Sequence, residues 1–282
     1  MSARWTTHQE EKFRNELRQL YVVENKSIAE VAQILGIASQ TVFQRIRRLG
    51  IDSIPERKQK YLNRRSGVVI PKVYSSELAE FFGIMLGDGH LTHFQVAVTL
   101  GTKELVYAQY VVLLMHKIFN VYAKICTRHK GYHDVYLGSV ELTKWLKQEG
   151  LVYNKVREQV GMPSWILTQN SFVESFLRGF FDTDGSVYKI RFGIQLAFTN
   201  RSIPILDALQ ICLRTLEYHP SKVGHFRVYV TRMSDIKRFF EEVQPQNLKH
   251  RERFEKFYAE KNASVPKRST GRDCKSLGFM PS

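Results

Sequence analysis

Two short stretches of this chain match in frame, and that internal match constrains the fold more than any other feature. Residues 81–89 read FFGIMLGDG and residues 177–185 read LRGFFDTDG. Gly83 aligns with Gly179, Asp88 with Asp184 and Gly89 with Gly185, at an interval of 96 residues. Each stretch reads as the end of an apolar helix stopped by glycine. Small residues lie one turn apart in both, Gly83 and Gly87 in the first, Gly179 and Thr183 in the second. That spacing lets two helices approach until their backbones nearly touch. Each helix then carries one carboxylate at its last turn, the negative end of the helix dipole. A carboxylate there is unfavourable unless a cation compensates, and two such ends side by side bring like charges together and call for a metal. A lone Asp-Gly after an apolar run is an ordinary turn signal. Two in one frame, each followed by a similar order of elements, mark an internal repeat.

The apolar periodicity supports that order. In the first copy a buried helix over 75–88 precedes weakly alternating strands in 90–100. A helix over 103–119, a hairpin from 121–129 and 133–137, and a helix over 140–151 follow. The second copy retraces this with a helix over 171–184, strands in 187–198 and a helix over 202–216. Strands at 220–223 and 226–231 and a helix over 234–243 complete it. Each half reads α-β-β-α-β-β-α.

Ahead of the repeats lies a different pattern. A first amphipathic helix runs from Thr7 to about Glu24, with Phe13, Leu17, Leu20 and Tyr21 on one face. Ser27 and Glu30 form a capping box for a second helix, with Ile28, Val31, Ile34 and Leu35 inward and Gly36 as its stop. Ser39 caps a third, with Val42, Ile46 and Leu49 inward and Gly50 at its end. This helix-turn-helix spacing is similar to that of DNA-binding regulators. Gln40, Thr41, Gln44 and Arg45 then sit on the front of the recognition helix, with Arg47 and Arg48 reaching phosphates. A protein-docking three-helix module is the plainer alternative.

Charge points the same way. The net charge of +15 on 282 residues calls for a polyanionic partner. Residues 1–65 hold 13 basic and 7 acidic side chains, and residues 245–282 hold 9 and 4, so the ends supply most of it. Between the two modules, Arg57, Lys58, Lys60, Arg64 and Arg65 make a basic connector. No apolar run reaches spanning length and the N-terminus lacks a signal-peptide core, so no membrane partner and an intracellular setting, cytoplasmic or organellar, are expected. Cys126, Cys212 and Cys274 have no paired spacing, which argues against zinc and a disulfide framework.

The paired stretches resemble the motifs of the LAGLIDADG homing endonucleases. The family's metal-binding acid is the eighth residue of each motif, here Asp88 and Asp184. At the sixth position Leu86 replaces the usual acid in the first copy, and Asp182 retains it in the second. The resemblance implies an α+β fold: two pseudo-symmetric αββαββα repeats forming a saddle-shaped sheet, preceded by a small all-α helix-turn-helix domain. The expected divisions are 1–52, helix-turn-helix; 53–73, linker; 74–160 and 161–245, the repeats; and 246–282, a basic tail with one short helix near 251–261.

It also implies function: a monomeric endonuclease that cuts both strands of DNA at a long, asymmetric site. Divalent ions, magnesium or manganese, would lie at Asp88 with Gly87 and at Asp184 with Thr183. Asn200, Lys103 and Arg232 would position water and phosphate, and Leu100 stands where the first repeat would match Asn200. Strand residues facing the groove would be His93, Gln95, Lys124, Arg128, His133 and Tyr136 in the first half. In the second they would be Tyr188, Lys189, Arg191, Gln195, Arg227 and Tyr229. Strand parity is open at this point, because a one-residue slip reverses every side chain. The chain lacks the terminal splicing residues of an intein, so a free-standing enzyme is expected. A non-cleaving regulator or an intron maturase on the same scaffold is the rival.

Overall fold

The computed structural model describes residues 7–51, 67–191 and 193–263. The chain divides into two compact units, residues 1–62 and 63–282.

In the smaller unit, α1 (Thr7–Arg18) runs into a π-helical turn at Gln19–Val23, and α2 (Ile28–Leu35) and α3 (Ser39–Arg48) follow. The capping box forms as expected: Ser27 Oγ accepts from Glu30 N at 3.2 Å and Ser27 N donates to Glu30 Oε2 at 2.7 Å. Leu17, Val31, Ala32, Val42, Ile46 and Leu49 make a small core. Two expectations shift by a residue or two. Ile34 is exposed and Ala32 takes the inward position, because a short helix can bury only one narrow stripe against two neighbours. Ala38, not Ser39, is the N-cap of α3, and it provides no side-chain bond. Arg14 compensates at the far end, donating to the Leu49 carbonyl at 2.6 Å through Nη2.

In the larger unit, α4 (Ser76–Leu86), β1 (Gly89–Leu91), β2 (Gln95–Leu100), α5 (Leu105–Phe119), β3 (Lys124–Thr127), β4 (His133–Gly138) and α6 (Val140–Gln148) form the first half. Two short elements, α7 (Lys155–Glu158) and a 3₁₀ turn at Ser164–Thr168, lead into the second. There α8 (Asn170–Asp184), β5 (Gly185–Ile190), β6 (Gly193–Thr199), α9 (Ile203–Thr215), β7 (Arg227–Val230) and α10 (Met233–Glu242) repeat the order. One expected strand does not form. Residues 220–223 make no strand of their own: Pro220 has no N–H to give a ladder, and Tyr229 N donates to Ser221 Oγ at 3.0 Å instead of to a carbonyl. The turn to β7 is tight, with His225 and Phe226 both at positive φ. The sheets are antiparallel, ordered β1-β2-β4-β3 and β5-β6-β7.

Helices α4 and α8 form the centre. Phe81, Phe82, Phe176, Phe180 and Phe181 are all fully buried and join both halves in one core. The close approach read from the small residues is present: a methyl group on Gly83 would overlap the Phe176 carbonyl, and one on Gly179 would overlap the Glu80 carbonyl. Both helices end at a glycine, as read from the sequence: Gly87 caps α4 and Gly185 caps α8, neither in the left-handed region. Gly89 and Gly185 each open a strand with ordinary φ, and a methyl group there would overlap Met85 or Phe181. The strand folds back onto the last helical turn, and only a residue without Cβ fits.

The C-terminal region is more than a tail. Helix α11 (Leu248–Ala263) extends three residues further toward the N-terminus than the expected short helix. Phe254 stacks on Phe240 with ring centroids 4.1 Å apart. Likewise Val68 and Ile70, at the end of the expected linker, pack against the core, and Val69 N donates to Phe119 O at 3.0 Å. The basic connector residues Arg57 to Arg65, and Cys274 with residues 264–282, lie outside the described residues.

Candidate functional site

Because α4 and α8 touch along their glycines, their ends lie together and each delivers one half-buried acid. Burial raises the Asp88 carboxyl above its ordinary range. Asp184 is pushed up to about 7, first by burial and next by the charge of Asp88. The charge of Asp88 thus adds to burial in raising Asp184, as a like charge nearby does. The ends are not equivalent: α8 is helical through Asp184, whereas α4 stops at Leu86, two residues short of Asp88.

The compensating cation inferred from the helix dipoles is present as a side chain that no spacing rule singles out. Lys155, from α7 between the repeats, donates through Nζ to Met85 O at 3.1 Å and to Gly87 O. It caps the last carbonyls of α4, and both acids act on it electrostatically. Burial works against its charge and lowers its pKa, opposed by Asp184 and Asp88.

Asn200 lies beside Asp184. Its Nδ2 donates to Asp184 Oδ2 at 2.8 Å and to Leu86 O at 3.4 Å, and its Oδ1 accepts from Ser202 N at 2.9 Å. Its first-half counterpart Leu100 is buried in the core. On that side the neighbours of Asp88 are Glu104 and Lys249, which pair at 2.6 Å. Burial acts to raise Glu104, but the bonds from Lys249 and Asn247 outweigh it and hold it below its usual value. Lys103 is exposed ahead of α5. Arg232 turns away: its Nη1 lies 3.0 Å from His219 Nε2, and His219 is paired with Asp235. The acid at the sixth motif position, Asp182, is fully buried and accepts from Gln246 N at 2.8 Å and Asn247 N at 3.1 Å. Burial pushes it up to about 8. Asn247 Nδ2 also reaches Glu104 Oε1 at 2.6 Å, so residues 246–249 strap the two halves together beside the acids.

Strand register settles parity, because directly paired residues of an antiparallel ladder share a face. Val98 pairs with Val135 and Leu196 with Val230 on the core side. The outer face of the first sheet then carries His90, Gln95, Thr99, Lys124, Asp134 and Tyr136. The outer face of the second carries Tyr188, Gln195, Thr199, Arg227 and Tyr229. Five expected groove residues lie off the outer strand faces. His133, opposite Leu100, is buried on the core side, with Nδ1 3.0 Å from Thr127 Oγ1. Lys189, opposite Ile194, faces the helices and pairs with Glu260 of α11. His93 lies in the turn between β1 and β2, with Nδ1 3.1 Å from Tyr153 Oη. Arg128 is an exposed partner of Asp134, and Arg191 is exposed in the turn after β5.

In the N-terminal unit, Gln40, Gln44, Arg47 and Arg48 are exposed along α3, and Thr41 is half-buried. Arg45 is not on the open front. Its guanidinium lies over the Phe13 ring, 4.5 Å from the centroid, and burial lowers its pKa.

Two adjoining carboxylates suit a hard divalent ion that completes its shell from water and substrate phosphates. The chain alone supplies no closed cage: among the described residues no group of three His, Cys, Asp or Glu side chains is placed to hold a metal. The Thr183 hydroxyl donates into its own helix, to Gly179 O and Phe180 O, and the Gly87 carbonyl accepts from Lys155.

A duplicated α+β unit that joins its halves through glycine-packed helices and brings two acids to their ends defines the architecture. Residues 171–244, the second half, match the family model described as LAGLIDADG-like domain. Two curated proteins of Methanocaldococcus jannaschii are similar over part of the chain. A replication factor C small subunit is 32% identical over 118 residues, 41% of this chain and 6% of its own length. A glutamine–fructose-6-phosphate aminotransferase is 23% identical over 196 residues, 63% of this chain and 18% of its own length. The chain thus spans less than a fifth of either relative. Among solved structures, I-DmoI in complex with DNA and manganese gives a TM-score of 0.43 at 16% identity, covering 60% of this chain and 96% of that one. The N-terminal LAGLIDADG domain of DUF199/WhiA gives 0.43 at 18%, covering 63% and 87%. I-WcaI bound to its DNA recognition sequence gives 0.44 at 14%, covering 64% and 85%. No helix among the described residues is long and apolar enough to cross a membrane.

Proposed function

We propose that this protein is a site-specific endonuclease of double-stranded DNA, acting as a monomer on a long, asymmetric site with magnesium or manganese. The observation that carries this is the joining of the two acid-bearing helix ends, one from each repeat, by Asn200, which donates to Asp184 Oδ2 at 2.8 Å and to Leu86 O, two residues before Asp88, at 3.4 Å. Such a pair of acids has no structural use that an amide would not serve better, since both groups lose solvation there. Asp88 and Asp184 would hold the metal, which when bound lowers the pKa of water and neutralises phosphate charge.

The chain's own groups do the rest. Asn200 fixes the Asp184 carboxylate by a hydrogen bond and ties it to the end of α4 through Leu86 O. Lys155 holds a positive charge beside both acids. The outer sheet faces present Gln95, Tyr136, Tyr188, Gln195, Arg227 and Tyr229 toward a duplex, with Lys124 and Arg128 at one side. Exposed Gln40, Gln44, Arg47 and Arg48 of α3 add a second DNA contact. The dependence on a duplex phosphate to complete the metal shell would keep the site idle until DNA is bound.

One observation favours the rival, a non-cleaving DNA- or RNA-binding protein on the same scaffold. Lys155 already compensates the acids and occupies the Gly87 carbonyl. Incubation with a randomised duplex library and magnesium, followed by sequencing of cut ends and of bound but uncut duplex, separates the two. Cleavage is expected, with Asp88→Asn and Asp184→Asn each nearly abolishing double-strand cutting while binding persists. Enrichment of bound duplex without any cut ends would establish the rival instead.

A further inference from the structure

The two sheets can be superposed position by position through their registers. Gly89 opposes Val98 and Gly185 opposes Phe198, which makes β2 and β6 counterparts at an offset of 100 residues. Val98 opposes Val135 and Phe198 opposes Val228, which makes β4 and β7 counterparts at an offset of 93. On the outer face this equates Gln95 with Gln195, Ala97 with Ala197, Thr99 with Thr199 and Tyr136 with Tyr229. These four pairs are identical, while the two remaining outer pairs, His90 with Ser186 and Asp134 with Arg227, differ. On the core side Leu91, Val96, Val98 and Leu137 correspond to Val187, Leu196, Phe198 and Val230, and none of these four pairs is identical; Val135 matches Val228, and the motif glycines Gly89 and Gly185 match.

This inverts what packing predicts. Core positions answer to their neighbours, whereas outward positions on a solvated sheet are under no packing constraint to agree. The alanines have a local reason: each lies directly opposite a tyrosine and is buried beneath it. The glutamines and tyrosines are half-buried and have no such reason. An object that meets both faces equally must itself present the same groups twice, related by a two-fold axis.

We infer that the target duplex contains an inverted pair of identical base pairs, one read by Gln95 and the other by Gln195, with the tyrosines seated beside them. The inference rests on the outer faces being the duplex-binding surface, as proposed above. A glutamine amide pairs bidentately with adenine N6 and N7 in the major groove, so the repeated base is adenine, once on each strand. One rung closer to the acids the symmetry breaks. Asp134, bonded to Thr99 Oγ1 at 2.7 Å and paired with Arg128, occupies the first half; Arg227, beside the Tyr229 phenol, occupies the second. Arg227 selects guanine at one inner position, and its mirror position lacks that preference. The target is therefore asymmetric overall around a short symmetric element.

The test is selection of bound duplex from a randomised library by the full chain and by Gln95→Ala, Gln195→Ala and Arg227→Ala, without any requirement for cleavage. The native chain should enrich adenine at two positions on opposite strands. Gln95→Ala should relax one of them about tenfold and Gln195→Ala the other, each leaving its mirror intact. Arg227→Ala should relax a single guanine between them. If the two glutamine variants relax unlike bases, bases on the same strand, or none, the inference is overturned while duplex recognition stands. If the native chain enriches no duplex at all, the proposed function fails with it.

Discussion

Lys155 illustrates how a single side chain can satisfy several local demands. It caps carbonyls at the end of α4 and places a cation beside two acids that burial penalises. Removing one partner of such a group leaves the others uncompensated. Lys155→Met should lower the unfolding free energy by about 2 kcal/mol, discounted because the site is only half-buried; an unchanged urea midpoint would show that the acids need no cation. His250 makes a cleaner pH probe. It is fully buried, 4.8 Å from the Phe181 ring, and pushed down to about 3, by burial first and then by Lys249. Its folded pKa lies below the unfolded value, so the unfolded chain binds the extra proton as pH falls below about 6.5. Stability from this group is complete above that pH and is lost on acidification toward 3. Between pH 7 and pH 5, His250→Phe should lose about 2 kcal/mol less than the native chain in denaturant titrations. Equal losses would mean that the imidazole takes up its proton in the fold as readily as in the unfolded chain.

Among the elements, the α4–α8 pair decides the geometry of the site. Gly83 and Gly179 let the helices close onto each other's backbone, and just beyond them Glu80 accepts from Tyr110 Oη at 2.5 Å and Arg178 Nη1 at 3.1 Å. Gly179→Ala would force its methyl into the Glu80 carbonyl and cannot be relieved by a side-chain rotation. It should cost about 3 kcal/mol and weaken cleavage beyond its effect on stability, because the acids move apart. Thermal unfolding and activity measured well below the transition check both halves of that statement. The glycine pairs and the acids were legible in the sequence because helix contacts depend on residues one turn apart. Lys155, Glu104, Asn247 and Lys249 were not: they come from separate segments and meet the motifs only after the chain has closed. Arg232 was misassigned for the same reason, since closeness along β7 to the site did not foresee His219 as its partner.

For the whole molecule, the proposed interaction with DNA rests on charge and modularity. Two compact units carry basic surface, and the N-terminal one offers exposed Gln40, Gln44, Arg47 and Arg48 along one helix. Deleting residues 1–52 should weaken duplex binding and flatten its salt dependence by roughly 0.9 in log–log slope for each phosphate that this unit neutralises, while cleavage of saturated complex persists. Binding titrations at several salt concentrations decide this; an unchanged slope would assign the unit another partner. The amino-acid sequence by itself determined the repeat, the helix ends with their acids, the helix-turn-helix spacing and the overall sign of the charge. All of these follow from periodicity and local chemistry within a few turns. Only the tertiary structure decided which strand residues face outward, because parity depends on pairing partners as distant as Gln95 and Gly138, and one slip reverses it. It also revealed the identical outer faces. Loops of different length give the halves three different offsets, 96, 100 and 93, so no single alignment interval brings Gln95 to Gln195 and Tyr136 to Tyr229. Hydrogen-bond register between strands is the physical relation that restores the match.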